Sequence, residues 1–304
     1  MNGFLLVNKD AGMSSFDVIR KLRKITGIRK MGHTGTLDPF ATGLMIICLE
    51  RYTRLAYLLE AECKSYRVCL KLGEKSETGD TEGKIIQTCA SWNSNLLPLL
   101  QEYVLNITEL PIPSHSAVKV SGRRAYDYAR QGIDLKLPMR QTNITDFELH
   151  TIDFPYLEYS CTVSKGTYIR SLSEVIAEFL GTVGHTVFLC RTKIGRVDLS
   201  RASNLDALSA ISNSVVGDSS LEDSSTWKEA VLEAQTLLGH IPSQNLEQHE
   251  IEQLLTGISV SNPGHDEESL LIYAPNGHVV SVCSRTSDVI RPKINLGSLN
   301  NDNQ

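Results

Sequence analysis

No two cysteines in this 304-residue chain form a Cys-x-x-Cys pair, and no apolar run approaches the roughly 20 residues needed to cross a bilayer. The first absence, with an odd count of seven (Cys48, Cys63, Cys69, Cys89, Cys161, Cys190 and Cys283), argues against a disulfide framework and a cysteine zinc site. Several of the seven lie in apolar runs, as buried reduced thiols do, which points to a reducing compartment. The apolar stretch Met1–Val7 is interrupted by Lys9 and Asp10, too early for a signal peptide, so a cytoplasmic protein without a membrane partner is expected. A phosphate loop is also missing, because Gly83-Lys84 lacks the glycine spacing and the following hydroxyl. No His, Cys, Asp or Glu cluster has metal-ligand spacing. That removes the main support for a metal-dependent hydrolase, and no metal is expected.

What is present is an uneven charge. The net charge is −5, yet residues 1–200 carry +4 and residues 201–304 carry −9. Met1–Met31 holds seven basic and two acidic residues, and Lys119–Arg140 holds six and two. Two basic patches on an acidic chain suit a polyanion meeting one face. Composition alone favours the plainer reading, a pair of solvated helices. The length suits one large domain and one small one.

In chain order, Phe4–Asn8 reads as a strand, followed by a basic helix capped by Ser14 or Ser15 and stopped at Gly27. Leu44–Leu49 reads as a buried strand and Arg51–Glu62 as a helix. In Lys64–Leu72, Tyr66, Val68, Leu70 and Leu72 alternate on one face, turning Tyr66 inward. The polar loop Glu74–Gly83 holds Asp80; Lys84–Thr88 is a strand and Asn95–Leu105 a helix. Residues 111–140 combine Pro-Ile-Pro, six basic residues and a short helix with Tyr126 and Tyr128, which suits either a projecting nucleic-acid contact or a plain surface hairpin. Strands at Thr145–Ile152 and Tyr156–Val163 lead through Ser164–Tyr168 into a helix that ends at Gly181. Arg170 falls in its first turn, where the helix dipole disfavours a cation, so a carboxylate partner is expected. Thr186–Ile194 is a strand, Asn213–Ser225 a loop, Trp227–Leu238 a helix and Gln248–Leu255 another. Strands Leu270–Ala274 and His278–Cys283 flank the hairpin turn Pro275-Asn276-Gly277, and Ser298–Gln304 is expected to be a disordered tail.

Four motifs recur in order: Gly32-His33-Thr34-Gly35-Thr36-Leu37-Asp38-Pro39, Lys64-Ser65-Tyr66, Ser116-Ala117-Val118-Lys119 and Lys165-Gly166-Thr167-Tyr168-Ile169-Arg170. In this order and spacing they resemble the bacterial tRNA pseudouridine-55 synthase family, the TruB type. The resemblance runs from residue 3 to about 241. It implies an α+β catalytic domain on a mixed, largely antiparallel sheet, domain 1–241, with an RNA-contacting insertion at about 111–141. A small PUA-like β domain with its tail, 242–304, would follow. Lys9 is followed by Asp10 where the family usually has proline.

The resemblance implies isomerisation of a T-loop uridine (position 55) in tRNA, with no cofactor. The base leaves its sugar at N1, turns and is rejoined through C5, after being flipped from its loop. Asp38 matches the nucleophile, Arg170 the arginine that pairs with it, and Tyr66 the tyrosine that stacks on the base and is a candidate proton acceptor. His33 matches the histidine that helps extract the base; Tyr168 and Leu189 match the uracil pocket. Lys9, Gly35, Lys165, Arg123, Arg124 and Arg130 are carried as substrate-contacting residues. Attack at sugar C1′ and at uracil C6 both stay open. The implied partner is the tRNA T-arm stem-loop, bound by a monomer. The alternative reading is a tRNA-binding or RNA-folding protein on the same scaffold without turnover.

Overall fold

A computed structural model describes the chain apart from residues 117, 121, 134, 136, 214–226 and 298–304. The expected loop at 213–225 and the expected tail therefore lie almost wholly outside the described residues.

The chain opens with β1 (Gly3–Lys9) and α1 (Ser15–Thr26). Ser14 caps α1 in a capping box with Asp17, and Gly27 closes it at φ 73°, as the sequence pattern suggests. Next come β2 (Met31–His33), β3 (Thr42–Leu49), α2 (Ala56–Glu60) and β4 (Lys64–Leu72). The helix expected at Arg51–Glu62 is a 3₁₀ turn, Glu50–Leu55, running into α2. The hairpin β5 (Glu74–Ser76) and β6 (Ile85–Thr88) carries the Asp80 loop, and α3 (Leu97–Leu105) follows. Then come β7 (Glu109–Pro111), β8 (Lys119–Val120), β9 (Arg123–Arg124), α4 (Ala125–Ala129) and β10 (Met139–Gln141). β11 (Ile144–Asp153) and β12 (Tyr156–Val163) lead to α5 (Ile169–Phe179) and β13 (Gly184–Ile194). β14 (Val197–Asp198), β15 (Ser203–Asn204), α6 (Leu205–Asn213) and α7 (Ala234–Leu238) complete this part. Last come β16 (Ser243–Gln244), α8 (Gln248–Leu255), β17 (Val260–Ser261), β18 (Glu267–Tyr273), β19 (Val279–Thr286) and β20 (Val289–Asn295).

Nine strands form one mixed sheet in the order β11-β12-β4-β13-β3-β1-β15, with β14 paired to β13 and β2 to β3. Only β13/β3 and β1/β15 pair in parallel, so the sheet is mixed and largely antiparallel. One face, through Leu5, Val7, Met45, Ile47, Tyr66, Val68 and Leu189, shares a core with α1 and α5. The alternate residues Phe4, Leu6, Leu44, Ile46 and Cys48 face the other way. They pack with Tyr52, Leu237, Leu271, Val279 and Val282, so the five-stranded C-terminal sheet β16-β18-β19-β20-β17 shares this second core.

Two readings of the sequence are corrected. The helix expected at Trp227–Leu238 is broken, because Leu232 exchanges backbone hydrogen bonds with Phe4 (2.9 and 2.8 Å). The C-terminal sheet has more strands than expected; β20 was hidden by Pro292, a residue that signals against a strand.

Candidate active site

Asp38 stands on the turn between β2 and β3, and its placement starts with the residue before it. The Ser15 hydroxyl donates to the Leu37 carbonyl (3.0 Å) and accepts from the Leu37 amide (2.9 Å). After Asp38, the Ala41 amide donates back to the Asp38 carbonyl (3.1 Å). The Pro39 carbonyl accepts from the Gly12 amide and from Lys9 Nζ (2.9 and 3.1 Å). The carboxylate therefore leaves a backbone pinned on both sides.

Arg170, in the first turn of α5, meets it side-on: Nε donates to Oδ2 (2.9 Å) and Nη2 to Oδ1 (3.2 Å). The expected carboxylate partner is present. The guanidinium is 5% exposed, whereas the Asp38 side chain is 33% exposed, so the cation is sequestered and the carboxylate faces the cleft. Arg170 also donates to the carbonyls of Thr78 (2.6 Å) and His115 (3.1 Å). Its Nη1 lies 3.5 Å from Asp80, whose carboxylate is buried. Asp80 in turn accepts from the Glu82 amide (2.9 Å) and from the Thr78 hydroxyl. The sequence reading treated Asp80 as part of a polar loop. In the structure it supplies a second negative charge under Arg170.

The cleft has a volume of about 950 Å³. Asp38, Arg170, Tyr66, Tyr168, Leu189, Gly35 and Arg130 all line it, with Lys64, Asp80, Ser116, Tyr126 and Arg191. The four motifs thus converge on one space. Tyr66 is only 8% exposed, and burial pushes its hydroxyl above the ordinary phenol range. The Ser116 hydroxyl is buried in the cleft wall with no hydrogen-bond partner among the described residues.

Other expected site residues are placed differently. Lys9 is fully buried and its ammonium donates to the carbonyls of Asp10, Met13 and Pro39 (3.0, 2.8 and 3.1 Å). All three protons are engaged, so it braces the Asp38 turn and is absent from the cleft wall. Burial lowers its pKa to about 8. His33 sits beneath the same turn, its Nδ1 accepting from the Gly35 amide (3.3 Å). Burial first, and Arg191 second, lower its pKa, which keeps the ring neutral. Lys165 is exposed and outside the cleft wall. In segment 111–141, β7 and β10 pair as a stem, with Pro111 opposite Met139, so the chain leaves the body and returns at one place. Arg123 and Arg124 lie exposed on the tip hairpin β8–β9. The guanidinium carbons of Arg124 and Arg130 lie 5.9 and 5.4 Å from the Tyr126 ring centroid, within cation–π range.

Arg191 was missed. It lies two residues beyond Leu189 on the same side of β13, and that spacing was the available signal: a cation on a buried strand face. It is 1% exposed and donates to the carbonyls of Leu44 (2.8 Å) and Gly35 (3.1 Å). Beside it, Gly43 has φ 107°, and a Cβ there would run into the Arg191 backbone.

Residues 23–169 match the TruB family pseudouridylate synthase N-terminal domain. The tRNA pseudouridine synthase B of Neisseria meningitidis serogroup B is 35% identical over 301 residues, covering 96% of this chain and 93% of that protein. The protein of the same name from Clostridium tetani is 40% identical over 215 residues, 68% of this chain and 72% of the relative. Among solved structures, a Cbf5-Nop10-Gar1 complex superposes with a TM-score of 0.71 at 19% identity, covering 97% of this chain and 85% of the other. An H/ACA RNP bound to a substrate RNA containing 2'-deoxyuridine gives 0.69 at 18% identity, with coverage of 98% and 86%; both share the fold. Since the sequence likeness extends over nearly the whole chain and the matched domain contains both the Asp38 turn and Tyr66, the chain belongs to the TruB family of pseudouridylate synthases.

Proposed function

We propose that the chain isomerises the T-loop uridine of tRNA to pseudouridine, with Asp38 as the nucleophile and the target base flipped into the cleft. As a family member it is a tRNA pseudouridine synthase, an isomerase. The observation that carries the finer reading is the side-on Arg170–Asp38 pair at the cleft wall. A nucleophilic carboxylate attacks through an oxygen that must be held in place, and a planar guanidinium bound to both of its oxygens fixes its orientation. Tyr66, Tyr168 and Leu189 offer the aromatic and apolar surfaces that would hold a uracil freed from its sugar. Keeping the base there while it turns prevents its loss. Tyr66 would stack on it and take the C5 proton that must leave after the new C–C bond forms. Flipping a base costs a few kcal/mol, and contacts from the pinned 32–39 loop would offset that cost. Residues 1–241 would form the catalytic domain, with about 111–141 as an arm laid on the phosphates of the T-arm stem-loop.

The test is to incubate the protein with unmodified tRNA and map pseudouridine base by base. Wild type should modify the T-loop uridine. Asp38→Asn, which keeps shape and loses charge, should bind tRNA and make no pseudouridine. Turnover by Asp38→Asn, with reversion excluded by mass spectrometry, would refute the nucleophile. Product at another base would refute the substrate assignment.

A further inference from the structure

Arg191 presents an unusual arrangement: a guanidinium sealed in the protein with no carboxylate to answer it. Among the described residues its hydrogen bonds go to two backbone carbonyls, Leu44 and Gly35, and the only group that favours its charge is Tyr66. The two are register partners across β13 and β4, and both line the cleft. A buried cation without a counter-charge is costly. It persists where the counter-charge is made during function.

We propose that Arg191 is a positioning residue for Tyr66, the built-in counter-ion of the phenolate that accepts the C5 proton. This rests on the reading of Tyr66 as proton acceptor. In that step the C5–H electron pair re-forms the C5=C6 bond, the C6=N1 pair returns to N1, which takes a proton from solvent, and the C5 proton passes to the Tyr66 oxygen, so that phenolate becomes phenol. Solvent takes the proton afterwards.

The surroundings assign this task to Arg191 and to no other cation. From β12, Cys161 faces Tyr66 as a neutral thiol, because burial pushes it well above the ordinary range; burial and, from the β2–β3 turn, Asp38 oppose a phenolate. On β4 itself, Lys64 spends its ammonium on the carbonyls of Glu60 and Glu62 (2.8 and 2.7 Å). From α5, Arg170 is committed to Asp38 and Asp80. Among the described residues Arg191, its register partner, alone favours the ionised hydroxyl, by its charge. Its donation to Gly35 also fixes the distance between the Tyr66 wall and the nucleophile loop.

The experiment is single-turnover pseudouridine formation on unmodified tRNA between about pH 6 and about pH 9, for wild type, Arg191→Lys, Arg191→Gln and Tyr66→Phe. Arg191→Gln should lose at least about tenfold throughout that range, because each unit by which the Tyr66 pKa rises removes about tenfold of the phenolate. Its tRNA affinity should change little. Arg191→Lys keeps the charge and should preserve most of the neutral-pH rate. A second measurement needs neither product nor the Gln variant: ultraviolet titration of the tyrosinate, as wild type minus Tyr66→Phe, should move to higher pH in the Arg191→Lys background once its cation is withdrawn by alkali. A wild-type rate in Arg191→Gln, or a Tyr66 titration unmoved by position 191, would overturn the inference. Full turnover by Tyr66→Phe would instead remove the reading on which it rests.

Discussion

The Ser15 hydroxyl brackets Leu37, donating to its carbonyl and accepting from its amide within 3.0 Å. Leu37 is the residue before Asp38, so a side chain on α1 sets the direction in which the Asp38 carboxylate leaves the backbone. Ser15→Ala would strand two buried backbone groups. It should cost ~3 kcal/mol of stability and lower the single-turnover rate more than tRNA affinity. Denaturant unfolding and rate measurements on one preparation check both effects.

Arg170→Lys keeps a cation but loses the planar fork that binds Asp38 at two points and also reaches Thr78, His115 and Asp80. A low residual rate is expected. Arg170→Met leaves the buried Asp80 without its cation and should destabilise by ~3 kcal/mol. Asp80→Asn in the Met background should restore part of that stability but none of the activity, a pattern readable from melting temperatures and product formation.

Lys9 leads to a prediction about pH. Burial holds its folded pKa at about 8, against 10.5 in the ordinary state. Between those values the unfolded chain binds the extra proton, so this group makes the fold more stable as pH rises through the window. Lys9→Met should lack that gain. Unfolding free energies for both proteins on either side of the window would show it; parallel curves would disprove it.

Replacing Arg123, Arg124 and Arg130 together should weaken tRNA binding and reduce the slope of log affinity against log salt by about 2. Arg124 and Arg130 also flank Tyr126, so part of the loss should survive at high salt. An unchanged slope would show that the arm does not meet phosphates.

The shared second core predicts what truncation after Ile241 does. Phe4, Leu44, Ile46 and Tyr52, all wholly buried, would lose the cover of Leu271, Val279 and Val282. The loss is on the order of 5 kcal/mol, so the shortened chain should aggregate or melt far lower than the whole. A truncation with unchanged thermal unfolding would mean the two sheets contribute independently.

Much of this was legible locally. The capping box of α1 follows from Ser14 and Asp17, the inward face of β4 from strict alternation, and the partner of Arg170 from a cation at a helix start. What stayed hidden depends on distant pairing. Arg191 looks solvated because Thr192 and Lys193 follow it; its burial arises only when β3 and β4 close on either side of β13. Asp80 gains its role because the β5–β6 hairpin folds beneath α5. The break at Leu232 exists only because β1 lies beside it, and no local propensity reports that.

The second core also arranges charge. Residues 242–297 carry three basic and seven acidic side chains, and their strands β18 and β19 pack against the sheet face turned away from Tyr66 and Leu189. On the face that carries Tyr66 and Leu189, Ser14 at the start of α1 and Arg130 line the cleft. The nine-stranded sheet therefore stands between the acidic unit and the cleft. Packed sheets lie about 10 Å apart, more than the screening length of about 8 Å at physiological salt, so the acidity of the C-terminal unit is largely screened from the cleft.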